Sequence, residues 1–258
     1  MKKAIRKILY VLYQPYKYLV FAPYIFLSTT FFGSLGVFLA SVFNARAASR
    51  IAAAWYARLL CYLTPVVVKV IGKEKIKKDR SCVVIANHQS HYDPLVINGW
   101  LGLDLRWVMK KELRRVPLFG YACEKAEFII VDRSNHESAM ESIRNAKRKI
   151  INGTSVVFFV EGTRSMTGKL LEFKKGAFKM AMDLKLPILP ISMINTRNIL
   201  PPKTLKLFPG RVKMVVHDMV DVMSYKRSSL EKLMRDVRTT IENGIETYSN
   251  GWKQASGK

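Results

Sequence analysis

From Tyr18 to Phe43 the chain carries no charged residue. A helix needs about 20 residues to cross a hydrocarbon core, so this stretch is long enough to do so. Residues 1–17 ahead of it are basic and aromatic: Lys2, Lys3, Arg6, Lys7 and Lys17 interleave with Tyr10, Tyr13 and Tyr16. Arg46, Arg50 and Arg58 follow closely, so both flanks are basic and set no direction of crossing. The apolar run is too long for a signal peptide and has no small-residue cleavage site before a polar start. Ala45 to Leu63 is alanine-rich, carries arginines on one side and stops near Pro65, which reads as a second helix. The expected arrangement is a helical pair dipped into the cytoplasmic leaflet from one side, with a single span as the alternative. Pro23, Gly33 and Gly36 would let the first helix bend. Residues 1–64 are therefore expected to anchor, and residues 65–258 to fold as one globular unit.

Charge narrows the partners. Lys and Arg number 43 against 19 acidic residues, a formal net charge of +24. That excess fits an anionic partner, either nucleic acid or a leaflet rich in acidic lipid. No aromatic-basic RNA-binding strand, zinc-finger spacing or helix-turn-helix accompanies it, so nucleic acid is not expected as a partner. Cys61, Cys82 and Cys123 form no CxxC pair and sit in apolar surroundings, as small buried residues in a reducing compartment do. No metal-ligand cluster is visible, and neither a metal nor a cofactor is expected.

After Pro65 the run Val66 to Ile71 is β-branched and reads as a strand. Residues 82–86, Arg106 to Met109, Phe128 to Val131, Val156 to Val160, Pro187 to Met193 and Val212 to Val216 read as further strands. Helices are expected after Asp93-Pro94, from Ser134 to about Ile151 before Gly153, around Lys174 to Leu184, and at the C-terminus. There Leu230, Leu233, Met234, Val237, Ile241 and Ile245 share one face. Strands alternating with helices predict an α/β fold, a mostly parallel mixed sheet flanked by helices.

The ends of those strands carry the chemistry. The apolar run Cys82 to Ala86 delivers His88, and Asp93 follows five residues later at a helix start. Asp93 followed by Pro94 reads as an N-cap and first helical position. A carboxylate on one imidazole nitrogen would also leave the other free to take a proton from a hydroxyl. Other strand ends deliver Lys110, Arg133, and Glu161 with Arg164, and the three cations suit a phosphate. Corners at one edge of a parallel sheet are where ligands bind in such folds.

These blocks have a family likeness. Asn87 to Asp93, NHQSHYD, resembles the NHxxxxD signature of the glycerolipid acyltransferases. Phe159 to Ser165, FVEGTRS, is similar to their FPEGTRS block with Val160 where proline is usual. Lys110 to Gly120 resembles their KxELxxxPxFG segment, Phe128 to Arg133 the block ending Asp-Arg, and LPILPI at Leu186 to Ile191 the apolar proline block. The blocks keep the family's order over roughly residues 65–195 and resemble most the 1-acyl-glycerol-3-phosphate acyltransferases. The resemblance implies that His88 acts as general base on a lysophospholipid hydroxyl, oriented by Asp93. It implies a thioester donor, acyl-CoA or acyl-acyl carrier protein, with phosphatidic acid as product. Gly162, Thr163 and Arg164, with Lys110 and Arg133, would hold the acceptor's phosphate. Glu161 would belong to the same substrate site, orienting those groups or the turn rather than acting as an acid. The active site would face the cytoplasm at a membrane bearing anionic lipid. A different acceptor, such as another lysophospholipid or a lyso-aminolipid, a phospholipid donor, or a non-catalytic lipid-binding scaffold are the competing readings.

Overall fold

A computed structural model describes residues 11–116, 119–132, 150 and 152–250. The chain opens with helix α1 (Val11–Val42), the charge-free stretch together with its aromatic lead-in. Proline removes an N–H and crowds the preceding turn; here Pro23 is preceded by a widened π-helical stretch, Lys17–Phe21, and the helix runs on through it. The chain reverses at Asn44, whose extended backbone breaks the helix and whose Oδ1 accepts the Ala47 N–H at 2.9 Å. Helix α2 (residues 45–63) returns alongside α1.

The sheet follows: β1 (Val66–Ile71), β2 (Val83–Ala86), helix α3 (Tyr92–Trp100), β3 (Asp104–Lys110), helix α4 (Phe119–Lys125), β4 (Ile129–Val131) and β5 (Thr154–Phe159). Helix α5 (Gly176–Leu184), β6 (Ile188–Ile194), β7 (Gly210–Val216) and helix α6 (Leu230–Asn250) complete it. The seven strands lie in the order β1-β7-β6-β2-β5-β3-β4. β6, β2, β5, β3 and β4 are parallel; β7 is antiparallel to β6, and β1 runs with β7. The α/β class with a mostly parallel mixed sheet is thus the observed one. The expected helix from Ser134 to about Ile151 lies, Ile150 apart, outside the described residues.

β2 is buried on both faces, as its unbroken apolar sequence requires. Val83 and Ile85 pack toward Phe178, Val237 and Ile241 of α5 and α6. Val84 and Ala86 face Ile97 of α3 and the side covered by α1 and α2. β5 and β6 flank β2, so the chain leaves β2 toward β3 on one side and later crosses to β6 on the other. That reversal makes the C-terminal edge of β2 the topological switch point, where α/β sheets open a crevice.

The helical pair is tied to the opposite edge. Asp104, fully buried, takes Arg46 at 3.3 Å, Arg106 at 2.6 Å and the Thr154 hydroxyl at 2.7 Å. Ser49 Oγ bonds both the N–H and the C=O of Leu105. Farther along α2, Arg58 donates to Gly99 O at 2.6 Å. Two of the three arginines expected on one side of this helix therefore hold it to the sheet and to α3. On α1, by contrast, only 11% of the most hydrophobic window is buried, and Phe26, Leu27, Phe31 and Phe38 are exposed. One helix among the described residues is thus long and apolar enough to cross a membrane.

Candidate active site

Asn87, the residue after β2, fixes where the corner begins. Its side-chain amide donates to Met193 O at 3.0 Å and accepts the Met193 N–H at 2.7 Å, locking β2 to β6 while fully buried. The chain then bends around Asp93. One carboxylate oxygen, Oδ2, accepts the Gln89 N–H at 2.6 Å, the Ser90 N–H at 2.8 Å and His88 Nδ1 at 2.8 Å. A carboxylate is acceptor-only, so the proton of the neutral imidazole sits on Nδ1 and Nε2 carries the lone pair.

Asp93 is not the helix N-cap. α3 begins one residue earlier at Tyr92, with His91 as cap residue and no side-chain cap. The carboxylate reaches back into the loop instead, because the helical backbone at Asp93 aims it at His88 and the amides beside it. Pro94 is still tolerated, since the first-turn N–H groups have no intrahelical acceptor.

The Glu161 loop closes the other side. Glu161 is buried, and its two oxygens accept the His88 N–H at 2.8 Å and the Leu171 N–H at 2.9 Å. Burial pushes its carboxyl above the ordinary value, against which the two amides and His88 pull. Ser165 N–H donates to His88 O at 2.8 Å, so both backbone groups of His88 are held by this one loop. Gly162 makes the turn with its N–H on Phe159 O at 3.0 Å and φ of +71°.

His88 lines a cavity of ≈ 720 Å³. Gly162, Thr163 and Arg164 stand at the same cavity, and His91 stands at its rim. Partial burial, then the Arg164 charge and His88, hold His91 below the ordinary histidine value. Away from these polar groups the walls are apolar. They come from α1 (Phe32, Gly33, Gly36), α2 (Ala48, Ala52), Trp107 of β3 and α4. Cys123 also lines it, but burial pushes its thiol up to about 12, so it offers no thiolate nucleophile.

The arrangement can take a proton from a ligand held beside an apolar chain. Comparison with known proteins gives the family. Residues 67–194 match the model of the Acyltransferase family. An uncharacterized acyltransferase of Schizosaccharomyces pombe is 30% identical over 192 residues, 72% of this chain and 69% of that protein. The chain belongs to the acyltransferase family. A 1-acyl-sn-glycerol-3-phosphate acyltransferase of Pseudomonas aeruginosa is 31% identical to this acyltransferase over 200 residues, 75% of this chain and 77% of that one. The crystal structure of the 1-acyl-sn-glycerophosphate acyltransferase of Thermotoga maritima superposes with a TM-score of 0.76 at 28% identity, covering 89% of this chain and 95% of that one.

Of the residues the sequence singles out in this acyltransferase, the structure brings together His88 and Asp93, and sets Gly162, Thr163 and Arg164 on the same cavity. Glu161 lies behind them, engaged with backbone amides rather than lining the cavity. Lys110 ends β3, its backbone paired with Val131. Arg133 lies outside the described residues. Sequence reasoning passed over Phe159, whose ring stacks on His88, and Asn87, which fixes the corner. Both lie inside the quoted motifs, which is the signal that could have found them. In sequence, Gly33 and Gly36 read as points where α1 could bend and the alanines of α2 as part of an alanine-rich helix, not as cavity walls.

Proposed function

We propose that this acyltransferase moves a fatty acyl group from an acyl thioester to the free hydroxyl of 1-acyl-glycerol-3-phosphate, giving phosphatidic acid. The observation that carries this reading is the His88–Asp93 pair opening, beside Gly162, Thr163 and Arg164, onto an apolar cavity. His88 Nε2 takes the hydroxyl proton as the hydroxyl oxygen attacks the thioester carbonyl. The new C–O bond forms, the C–S bond breaks, and the proton passes from the imidazolium to the departing thiolate. The thiol and the phospholipid leave, and no residue is acylated. Asp93 keeps the ring in the tautomer and rotation the step needs.

Arg164 and the Gly162–Thr163 turn hold the acceptor's phosphate, with Lys110 and Arg133 adding charge. A guanidinium offers paired donors to phosphate oxygens. Glu161 serves the site by holding the His88 backbone. The apolar cavity takes an acyl chain, and the donor thioester is that of coenzyme A or of an acyl carrier protein. Residues 1–64 seat the enzyme on an anionic leaflet, and residues 65–258 carry the reaction on its cytoplasmic side. The exposed apolar surface of α1 supports that seat.

The acceptor is tested with purified enzyme in phospholipid vesicles, a labelled acyl thioester and a panel of lysophospholipids. Phosphatidic acid should form from 1-acyl-glycerol-3-phosphate faster than any other product. Faster acylation of another headgroup, or none of any, would overturn the assignment.

A further inference from the structure

We propose that Phe159 is a positioning residue that stabilises the charge His88 acquires when it takes the acceptor's proton. The inference rests on the reading of His88 as base. The imidazole lies flat on the Phe159 ring, with centroids 3.9 Å apart and planes 9° from parallel. For a neutral imidazole such parallel contact gains mainly dispersion and buried area. A cation over the same face is attracted to it. The geometry therefore suits the imidazolium better than the imidazole, which is the condition for speeding a step that creates the imidazolium.

The ring cannot retreat from that contact. Phe159 ends β5, paired in register with Ala86 two residues before His88. Trp107 of β3 packs beside it at 5.5 Å between centroids, and His88 N–H and C=O are held by the loop that starts at Phe159. Asp93 meets the imidazole at its edge through Nδ1, and Phe159 meets its face. One partner sets the rotation of the ring and the other its tilt. What is left is Nε2 on the cavity side. The carboxylates favour the same charge from other directions, Asp93 at the ring edge and Glu161 from behind the His88 backbone, while Arg164 opposes it; Phe159 acts on the face that none of them touches.

The test keeps the shape of residue 159 and changes only the charge on its face. Phenylalanine analogues bearing one, two and three ring fluorines replace Phe159, and single-turnover transfer is measured in vesicles with lysophosphatidic acid and an acyl thioester. The rate should fall stepwise with each fluorine, reaching about 10-fold with three, about 1.4 kcal/mol by the rate equation. The acceptor KM should stay within about twofold, since the charge exists only as the proton moves. Phe159→Leu should lose at least as much, and Phe159→Tyr should recover most of the rate. A rate indifferent to fluorination, with Phe159→Leu impaired, would reduce Phe159 to packing and overturn the proposal. His88→Ala, measured in parallel, separates the two claims. Transfer surviving in His88→Ala overturns the base reading itself, whereas its loss beside a flat fluorine series overturns only the role of Phe159.

Discussion

Two histidines follow strands in this sheet, each with an oxygen 2.8 Å from a ring nitrogen, and they are chemically opposite. His88, after β2, gives Nδ1 to a buried carboxylate and turns its other edge to the cavity. His217, after β7, gives Nε2 to Ser192 Oγ, which donates its own proton to Ile241 O at 2.8 Å. Helix α6 seals that pair: a Cβ on Gly244 would stand 2.5 Å from His217 Cε1 and 2.6 Å from both His217 Nε2 and Ser192 Oγ. Burial, then the Lys75 charge, push His217 down to about 4, so it stays neutral and knits β6, β7 and α6 together. A histidine held by a carboxylate at one nitrogen and lining a cavity is placed to act as the base proposed above. The same side chain under a helix, facing a hydroxyl, is a structural bolt.

That contrast can be broken at several points. Asp93→Asn should cost most, cutting acyl transfer by about 10²- to 10⁴-fold, because the amide can present N–H to Nδ1 and favour the wrong tautomer. Steady-state transfer rates per folded molecule would check it, beside a lowered thermal midpoint, since an amide N–H in place of Oδ2 strands the Gln89 and Ser90 amides. Glu161→Ala should lower both rate and stability, since the His88 and Leu171 amides lose their acceptor. Each stranded donor costs roughly 1–3 kcal/mol, which thermal unfolding would show beside the activity loss.

At the other histidine the effects should be on stability alone. Gly244→Ala forces a methyl into the His217–Ser192 contact and should destabilise by roughly 1–3 kcal/mol. That corresponds to about 2–4 °C of thermal midpoint per kcal/mol for a chain of this size, with activity per folded molecule unchanged. The smallest effect is on pH dependence. His217 has a folded value near 4 against an ordinary 6.5, so the unfolded chain binds its proton more readily. Its stabilisation is present above about 6.5 and lost as pH falls through about 4. His217→Gln should make the midpoint fall less steeply over that window. Glu161, shifted upward, acts with the opposite sign: its stabilisation is lost as pH rises through its folded value.

Most of the sheet was legible because its strands are short apolar runs between breakers, and β1 matches its expected bounds residue for residue. The reversed direction of β7 and β1 was not, since a strand's own residues do not encode which neighbour it pairs with. Helix α4 was hidden because proline and glycine, at Pro117 and Gly120, are residue types that usually end helices. Gly120 is required there by crowding, a Cβ on it falling 2.0 Å from Arg114 O, and not by any break in the helix. The corner after β2 was legible as motif but not as geometry. Sequence showed that Asp93 could cap or orient; only coordinates show its oxygen gathering the loop amides with His88. The cavity could not be read at all, because α1, α2, β3 and α4 each supply one wall.

The most direct test sets the two histidines side by side. His88→Ala and His217→Gln, each in vesicles with lysophosphatidic acid and a labelled acyl thioester, are compared with the unaltered enzyme by phosphatidic acid formed per folded molecule. The account predicts loss of about 10²-fold or more for His88→Ala and near-full activity for His217→Gln. Equal activity in the two variants would contradict it.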